Sequence, residues 1–453
     1  MRVINPATGD VLREVPEDDA TSVADKFAAA RAAQPEWAAR PLDERIEVIR
    51  RFRATVAYRV DDLAAILTSE TGKPITQARN ELNALLPRID FFLDNVERTI
   101  DDEVVLLDDA NGMEEVLSHE PLGVVANISA WNYPYFVGSN VWIPALLTGN
   151  AVLYKPSELA VLTGTEVAEM FWGAGVPEDV FGLLVGGGDV GAALLDQRVD
   201  GVFFTGSYGT GKRIAEAVAG AMIPVQLELG GKDPVYVCDD VDVATAAEGL
   251  ADGAFYNAGQ SCCSVERIYV HERIYDEFVE HFVKTVDGFV VGDPTSDDTY
   301  IGPLTRPQQI EVLDAQVADA VAKGARVLSG GGSTGAWFLP TVLADVSHDM
   351  AVMRDESFGP IIGIQRVRDD GEATAFMNDT EFGLTAGVFS PDEPRATEIL
   401  REVDAGTAYW NCCDRVSPRL PWSGRHHSGI GSTLSTAGIL AFTRPKAWHL
   451  RQS

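Results

Sequence analysis

Across residues 20 to 70 apolar side chains recur at helical spacing with charges between them, as in LDERIEVIRRFRATVAYRVDDLAAIL. That period predicts an amphipathic helical opening. From about residue 122 the pattern changes: short apolar runs (GVVANI, NAVLYK, GVFFTG, PVYVCD) alternate with helical stretches such as TGTEVAEMFWGAG and GTGKRIAEAVAG. Such alternation predicts strand-helix units building a parallel α/β sheet. After Cys262 a second series begins, with ERIYVHERI as a strand, YDEFVEHFVKTVDGF as a helix, and PQQIEVLDAQVADAVAKGARVLSGG as helix then strand. A second α/β domain is therefore expected. EEVLSHEPLG (114 to 123) and the tail AFTRPKAWHLR alternate like exposed strands. Strands lying outside both domains commonly pair with another subunit, which predicts an oligomer.

A chain of 453 residues has room for two or three cooperating domains around a substantial core. No apolar run reaches the roughly 18 residues a membrane span needs, and the opening MRVINPATGD lacks a basic stretch followed by an apolar core. The expectation is a cytoplasmic protein with no membrane partner. A formal net charge of -32 repels nucleic-acid phosphates and argues against nucleic-acid binding. Of the 36 basic residues only eight are lysine, and an acidic, lysine-poor surface suits work at high salt, where carboxylate repulsion is screened. The odd number of cysteines (Cys238, Cys262, Cys263, Cys412, Cys413) points to free thiols. Neither adjacent pair has zinc-site spacing, so no metal is expected.

Three segments carry candidate chemistry. NAGQSCCSVER (257 to 267) sets two thiols among small polar residues just before a predicted strand, whereas core cysteines sit inside apolar runs. A thiol beside a general base and backbone N–H groups can attack a carbonyl and later leave from a thioester; taken alone, the segment fits an inert buried thiol better. VQLELGGKDP places the Glu228 carboxylate next to two glycines that let the backbone turn tightly. SAWNYP offers the Asn132 amide as a donor to a developing oxyanion. GGGDVG (186 to 191) satisfies G-x-G-x-x-G after a strand, but no acidic residue follows at the expected distance, so it is not the usual dinucleotide fingerprint.

Taken together, AWNYP, KPSE, FTGSYGTG, LELGGK, GQSCC, ESFGP and SGIG, in this order, resemble the aldehyde dehydrogenase superfamily, NAD(P)-dependent and non-acylating. The resemblance runs from INPATGDVL to PWSGRHHSGIG. It implies an α/β fold of two Rossmann-like parallel-sheet domains plus a small β oligomerisation element. By that resemblance, residues 1–105 and 124–228 form an NAD-binding domain, 229–432 a catalytic domain, and 106–123 with 433–453 the oligomerisation strands of a homodimer or homotetramer.

The resemblance also assigns roles. Cys262 is the nucleophile, Glu228 the general base, and Asn132 with the backbone N–H of Cys262 the oxyanion hole. The implied reaction adds the thiolate to an aldehyde, passes hydride to nicotinamide and hydrolyses the thioester with water activated by Glu228. Acylating members that use coenzyme A lack this base. The cofactor would meet Trp131, Lys155, Glu158, Gly188, Phe204, Gly206, Ser207, Glu356 and Phe358, with pyrophosphate at a helix N-terminus near Gly206 and Ser207. Glu158, accepting from both ribose hydroxyls, favours NAD, with NADP as the alternative. The substrate pocket would be lined by Tyr133, Phe136, Val137, Asn140, Tyr256, Ser261, Cys263 and Val416, which suits a small apolar aliphatic or aromatic aldehyde. Asn140 stands where semialdehyde enzymes often have arginine and betaine aldehyde enzymes tryptophan. Arg415 and Arg419 keep succinate semialdehyde as the leading alternative, with betaine aldehyde as the other. Ser423 and His426 depart from the common glycine and lysine near the pocket rim.

Overall fold

The computed structural model describes residues 1–451. Four helices, Ala20–Ala39, Leu42–Tyr58, Val60–Thr71 and Ile75–Ile100, form the helical opening. The Asp19 carboxylate starts the first by accepting from the Thr21 and Ser22 N–H groups, and Ser22 closes the capping box. In the fourth, Leu82, Leu85, Ile89, Phe92 and Val96 make a buried stripe at helical spacing that joins the first core.

The first sheet has six strands, in the order Gly429–Ile430, Val225–Glu228, Gly201–Thr205, Val124–Ile128, Ala151–Lys155, Phe181–Leu183. Val124, Val125, Ala126, Val152 and Leu153 are all fully buried, as expected of parallel strands covered on both faces. The chain winds outward from Val124–Ile128 in one direction, then returns to place Gly201–Thr205 on its other side. Such a reversal opens a crevice at the C-terminal ends of the two strands.

The second sheet has seven strands, in the order Arg326–Ser329, Thr341–Ala344, Ile361–Val367, Val265–His271, Asp233–Val237, Thr385–Phe389, Thr407–Trp410. Its core is a separate cluster built on Val235, Tyr236, Ile268, Tyr269, Ile362 and Ile364. A third sheet of three antiparallel strands joins Glu103–Asp108, Met113–Pro121 and Thr443–Arg451.

Three details differ from the sequence expectation. Each large sheet includes an antiparallel member, Gly429–Ile430 in the first and Arg326–Ser329 in the second. Neither is reached through a crossover helix from its neighbour, so nothing obliges it to run parallel. Gly429–Ile430, inside the stretch assigned to the catalytic domain, pairs with Glu228 and Leu227 of the first sheet. The tail expected as strands from residue 433 opens with a helix, Ser435–Leu440, before the Thr443–Arg451 strand; residues 452–453 lie outside the described residues. No helix among the described residues is long and apolar enough to cross a membrane.

Candidate active site

Glu228 is the last residue of its strand, paired with Thr205 on one side and Gly429 on the other, so its carboxylate stands at the C-terminal end of the first sheet. It is buried. The Thr433 hydroxyl donates to its Oε1, and Gln226 Nε2 approaches the same oxygen at 3.4 Å. Burial pushes the Glu228 carboxyl up to about 7, while the Thr433 hydroxyl, the Arg88 charge, the Asn140 amide and the Thr205 hydroxyl favour its ionised form. Glu228 is thus poised to change charge near neutral pH, the condition for a general base.

Cys262 lies between the Val243–Phe255 helix and the Val265–His271 strand, and it is half-buried with a free thiol. The turn before it is strained: Asn257, Ala258 and Gly259 all have positive φ (54°, 54° and 68°). Polar contacts hold it in place. Asn257 Nδ2 donates to the carbonyls of Asn132 and Gln260, both at 3.2 Å, and Gln260 Nε2 returns a bond to Asn257 O at 3.1 Å. Asn132 follows the central Val124–Ile128 strand, and its Nδ2 donates one hydrogen to Gln260 O at 3.1 Å. A primary amide has two N–H groups, so this bond fixes the side chain and leaves the second for a ligand oxygen. The two glycines of LELGGK do not turn the chain through positive φ. They permit close approach: a Cβ on Gly231 would come within 2.5 Å of Cys262 O, and one on Gly230 would strike Glu356.

The neighbouring thiol differs in character. Cys263 is buried and donates to Asp414 Oδ1 at 3.0 Å. Its contact with Cys262, burial and the nearby Asp414 charge hold it well above the ordinary thiol range. Burial likewise pushes the Asp414 carboxyl up to about 7.

A cavity of about 770 Å³ opens at the crevice of the first sheet and reaches Cys262. Asn132 and all nine expected cofactor contacts line it: Trp131, Lys155, Glu158, Gly188, Phe204, Gly206, Ser207, Glu356 and Phe358. Its volume lies within the roughly 300–1,000 Å³ of ligand pockets. The Tyr208–Val218 helix starts at the cavity wall with Ser207 as its N-cap, and that side chain makes no capping bond, so the positive end of the helix lies uncapped where a pyrophosphate would sit. A nicotinamide dinucleotide therefore fits. Arg213, Arg306 and Gln309 also line the cavity, and no motif in the sequence marks them.

Phe358 stands edge-on to Trp131 with ring centroids 5.6 Å apart. Its φ of 47° is unusual for a bulky side chain. Glu266 stabilises this backbone by accepting from the Ser357 and Phe358 N–H groups at 2.8 and 2.9 Å. Glu266 itself is paired with the buried Lys232 at 2.6 Å.

None of the expected substrate contacts Tyr133, Phe136, Tyr256, Ser261, Cys263 and Val416 lines this cavity. Tyr133, Tyr256, Cys263 and Asp414 stand close enough to act on one another electrostatically. Ser261 Oγ lies 3.6 Å from Cys263 Sγ, and Val416 packs on the first core. This wall is less apolar than expected. The Lys73 ammonium sits 3.8 Å from the Tyr133 ring centroid, and the Arg88 guanidinium 3.3 Å from that of Phe136. Arg415 and Arg419 are exposed, whereas Arg88 is buried. His426 pairs with Asp404 at 2.7 Å on the surface. Among the described residues no group of three or more His, Cys, Asp or Glu could hold a metal ion.

The profile described as the aldehyde dehydrogenase family matches residues 1–448. A succinate-semialdehyde dehydrogenase [NADP(+)] of Deinococcus radiodurans is 35% identical over 98% of this chain and 93% of its own length. A betaine aldehyde dehydrogenase of Sinorhizobium fredii is 34% identical over 99% and 93%. The solved structure of a 3,6-anhydro-L-galactose dehydrogenase in complex with NAP superposes with a TM-score of 0.95 at 33% identity, covering 100% of this chain and 96% of that one. With the motifs, the two sheets and these relatives in agreement, the chain belongs to the aldehyde dehydrogenase family and is an NAD(P)-dependent oxidoreductase.

Proposed function

We propose that this enzyme oxidises a small apolar aliphatic or aromatic aldehyde to its carboxylic acid with NAD, through a thioester on Cys262. The observation that carries the reading is the convergence of Cys262, Asn132 and Glu356 on one cavity, with the buried Glu228 carboxylate at the adjacent strand end. Cys262 Sγ bonds to the aldehyde carbon while the free Asn132 N–H and the Cys262 backbone N–H receive the oxyanion. The dinucleotide, when bound, supplies the hydride acceptor. Water then attacks the thioester, its proton passes to Glu228, and the acid departs as the Cys262 sulfur is released.

Glu158 and Lys155 would take the adenosine ribose, and the Glu158 carboxylate favours NAD because it would repel a 2′-phosphate. Phe358 and Glu356, on the loop held by Glu266, would pack beside the nicotinamide ribose. Residues 1–102 and 124–228, joined by the Gly429–Ile430 strand, then act as the NAD-binding domain and 229–428 as the catalytic one. The third sheet, built from Glu103–Asp108, Met113–Pro121 and Thr443–Arg451, mediates a homodimer or homotetramer; Val105 and Leu107 are each more than 60% exposed on its first strand.

Tyr133, Phe136, Tyr256 and Val416 supply the rings and aliphatic surface for the substrate body, with the Lys73 and Arg88 cations on the Tyr133 and Phe136 rings. The test is NADH formation by purified protein with hexanal, benzaldehyde, succinate semialdehyde and betaine aldehyde, with NAD and NADP in parallel. Hexanal or benzaldehyde with NAD should give the highest kcat/KM. The highest value with succinate semialdehyde, the substrate named for the Deinococcus relative, would replace the apolar reading.

A further inference from the structure

Arg88 sits in the middle of the Ile75–Ile100 helix, three residues after the buried Leu85 and four before the buried Phe92, so helical spacing turns it inward, and it is 1% exposed. Its guanidinium stacks on the Phe136 ring, and Nη1 donates to the Asn140 side-chain oxygen and, at 3.3 Å, to Phe136 O. The opposite edge, Nε with Nη2, has no partner among the described residues. Elsewhere in this protein that same edge grips carboxylates: Arg53 holds Asp90 and Arg395 holds Asp370 through Nε and Nη2. A buried guanidinium whose charge no carboxylate of the chain grips keeps its field for charges farther off, because little screening intervenes.

The charged or titratable groups that act on Arg88 are Glu228, Glu81 and Cys263. Glu81 is already committed. It pairs with Lys73 and accepts from the Tyr135 and Phe136 N–H groups at 3.0 and 3.2 Å. The Cys263 thiol stays protonated on Asp414. Glu228 is left, and for Glu228 Arg88 is the cation that favours its charge. Asn140 links the two. Since arginine can only donate, the Asn140 oxygen must face Arg88, which turns its NH₂ toward Glu228, where it favours the carboxylate.

We propose that Arg88 is a positioning residue for the general base: through the oriented Asn140 amide and its own unpaired charge it holds Glu228 aimed and ionised for deacylation. The inference rests on the reading of Glu228 as the base. Burial lowers Arg88 to about 9, which still leaves it charged at neutral pH.

The test is the pH profile of kcat for Arg88→Met and Arg88→Lys, with pre-steady-state NADH bursts to establish that deacylation limits turnover. Arg88→Met should move the acidic limb of kcat up by about one pH unit and lower kcat near pH 7 by up to about tenfold, with the burst amplitude unchanged. Arg88→Lys should return the limb toward that of the wild type. Should Arg88→Met fail to fold, Asn140→Asp serves: its carboxylate would pair with Arg88, and the limb should again rise. A limb that stays in place in the folded variants would overturn the proposal, and a KM raised only for succinate semialdehyde would make Arg88 an anion receptor instead. Glu228→Gln separates the two levels, because full steady-state turnover in that variant would refute the base itself whatever Arg88 does.

Discussion

The Cys263 thiol donates to the Asp414 carboxylate across 3.0 Å, which makes the two adjacent cysteines of this enzyme chemically unequal. Cys263 is buried and held protonated, while Cys262 is half-buried and lines the cavity. Cys262→Ala should abolish aldehyde oxidation yet leave the dinucleotide dissociation constant within about twofold, since replacing the thiol by hydrogen removes the proposed nucleophile and little binding surface. Cys263→Ala should keep at least about a tenth of wild-type kcat. Activity in the first variant, or total loss in a folded second one, would reverse the assignment.

Lys232 and Glu266 tie three motifs together in a buried pair. Lys232 also donates to Ser357 Oγ at 3.0 Å, so the pair joins LELGGK, the strand after Cys262 and the ESFGP loop. Removing one partner leaves an uncompensated buried charge, so Lys232→Met should cost about 3–5 kcal/mol in urea unfolding. The double variant with Glu266→Leu should recover part of that stability but not the activity, because the Ser357 and Phe358 N–H groups lose their acceptor. A single variant within about 1 kcal/mol of wild type would show the pair to be energetically idle.

The acidic surface predicts a salt response. With a net charge of -32, raising NaCl from about 0.1 M to about 2 M should raise the melting temperature, because the Debye length falls from about 10 Å to below 3 Å. A flat or falling melting temperature across that range would remove the case for function at high salt.

Mild acid should act in the same direction. Burial raises Glu70, Glu228, Glu356 and Asp414 to about 7, above their ordinary values of 4.5 and 3.8. Each then binds its proton more tightly folded than unfolded, a stabilisation fully present below the unfolded value and lost as pH rises through about 7. Hydrogen-bonded carboxylates with lowered values, such as Asp242, Asp370 and Asp404, work the opposite way and are protonated only in stronger acid. The melting temperature should therefore climb from pH 8 to pH 6 and collapse below pH 4. A monotonic fall from pH 8 to pH 6 would contradict the burial of these groups.

Much of this architecture is legible along the chain because its signals are local. The runs around Val124–Ile128 and Gly201–Thr205 carry their period within five residues, and the expected cofactor contacts fall in short motifs that the crevice gathers. What escapes is non-local. Lys232 and Glu266 read as ordinary surface charges until the fold buries them together. Arg88 stands at helical spacing between Leu85 and Phe92, but a period cannot say what a buried arginine meets; the facing Pro134–Leu147 helix supplies Phe136 and Asn140 only once the chain is folded. Gly429–Ile430 is too short to show a period, so its place beside Glu228 is invisible before folding.

In the proposed reaction hydride transfer precedes a hydrolysis that depends on Glu228. The most direct measurement is rapid mixing of Glu228→Gln with aldehyde and NAD, following NADH and trapping the enzyme in acid for peptide mass spectrometry. Expected is a burst close to one NADH per active site, negligible steady-state turnover, and the acyl mass on the peptide carrying Cys262. A burst followed by undiminished turnover, or an acyl group found on any other residue, would contradict the mechanism.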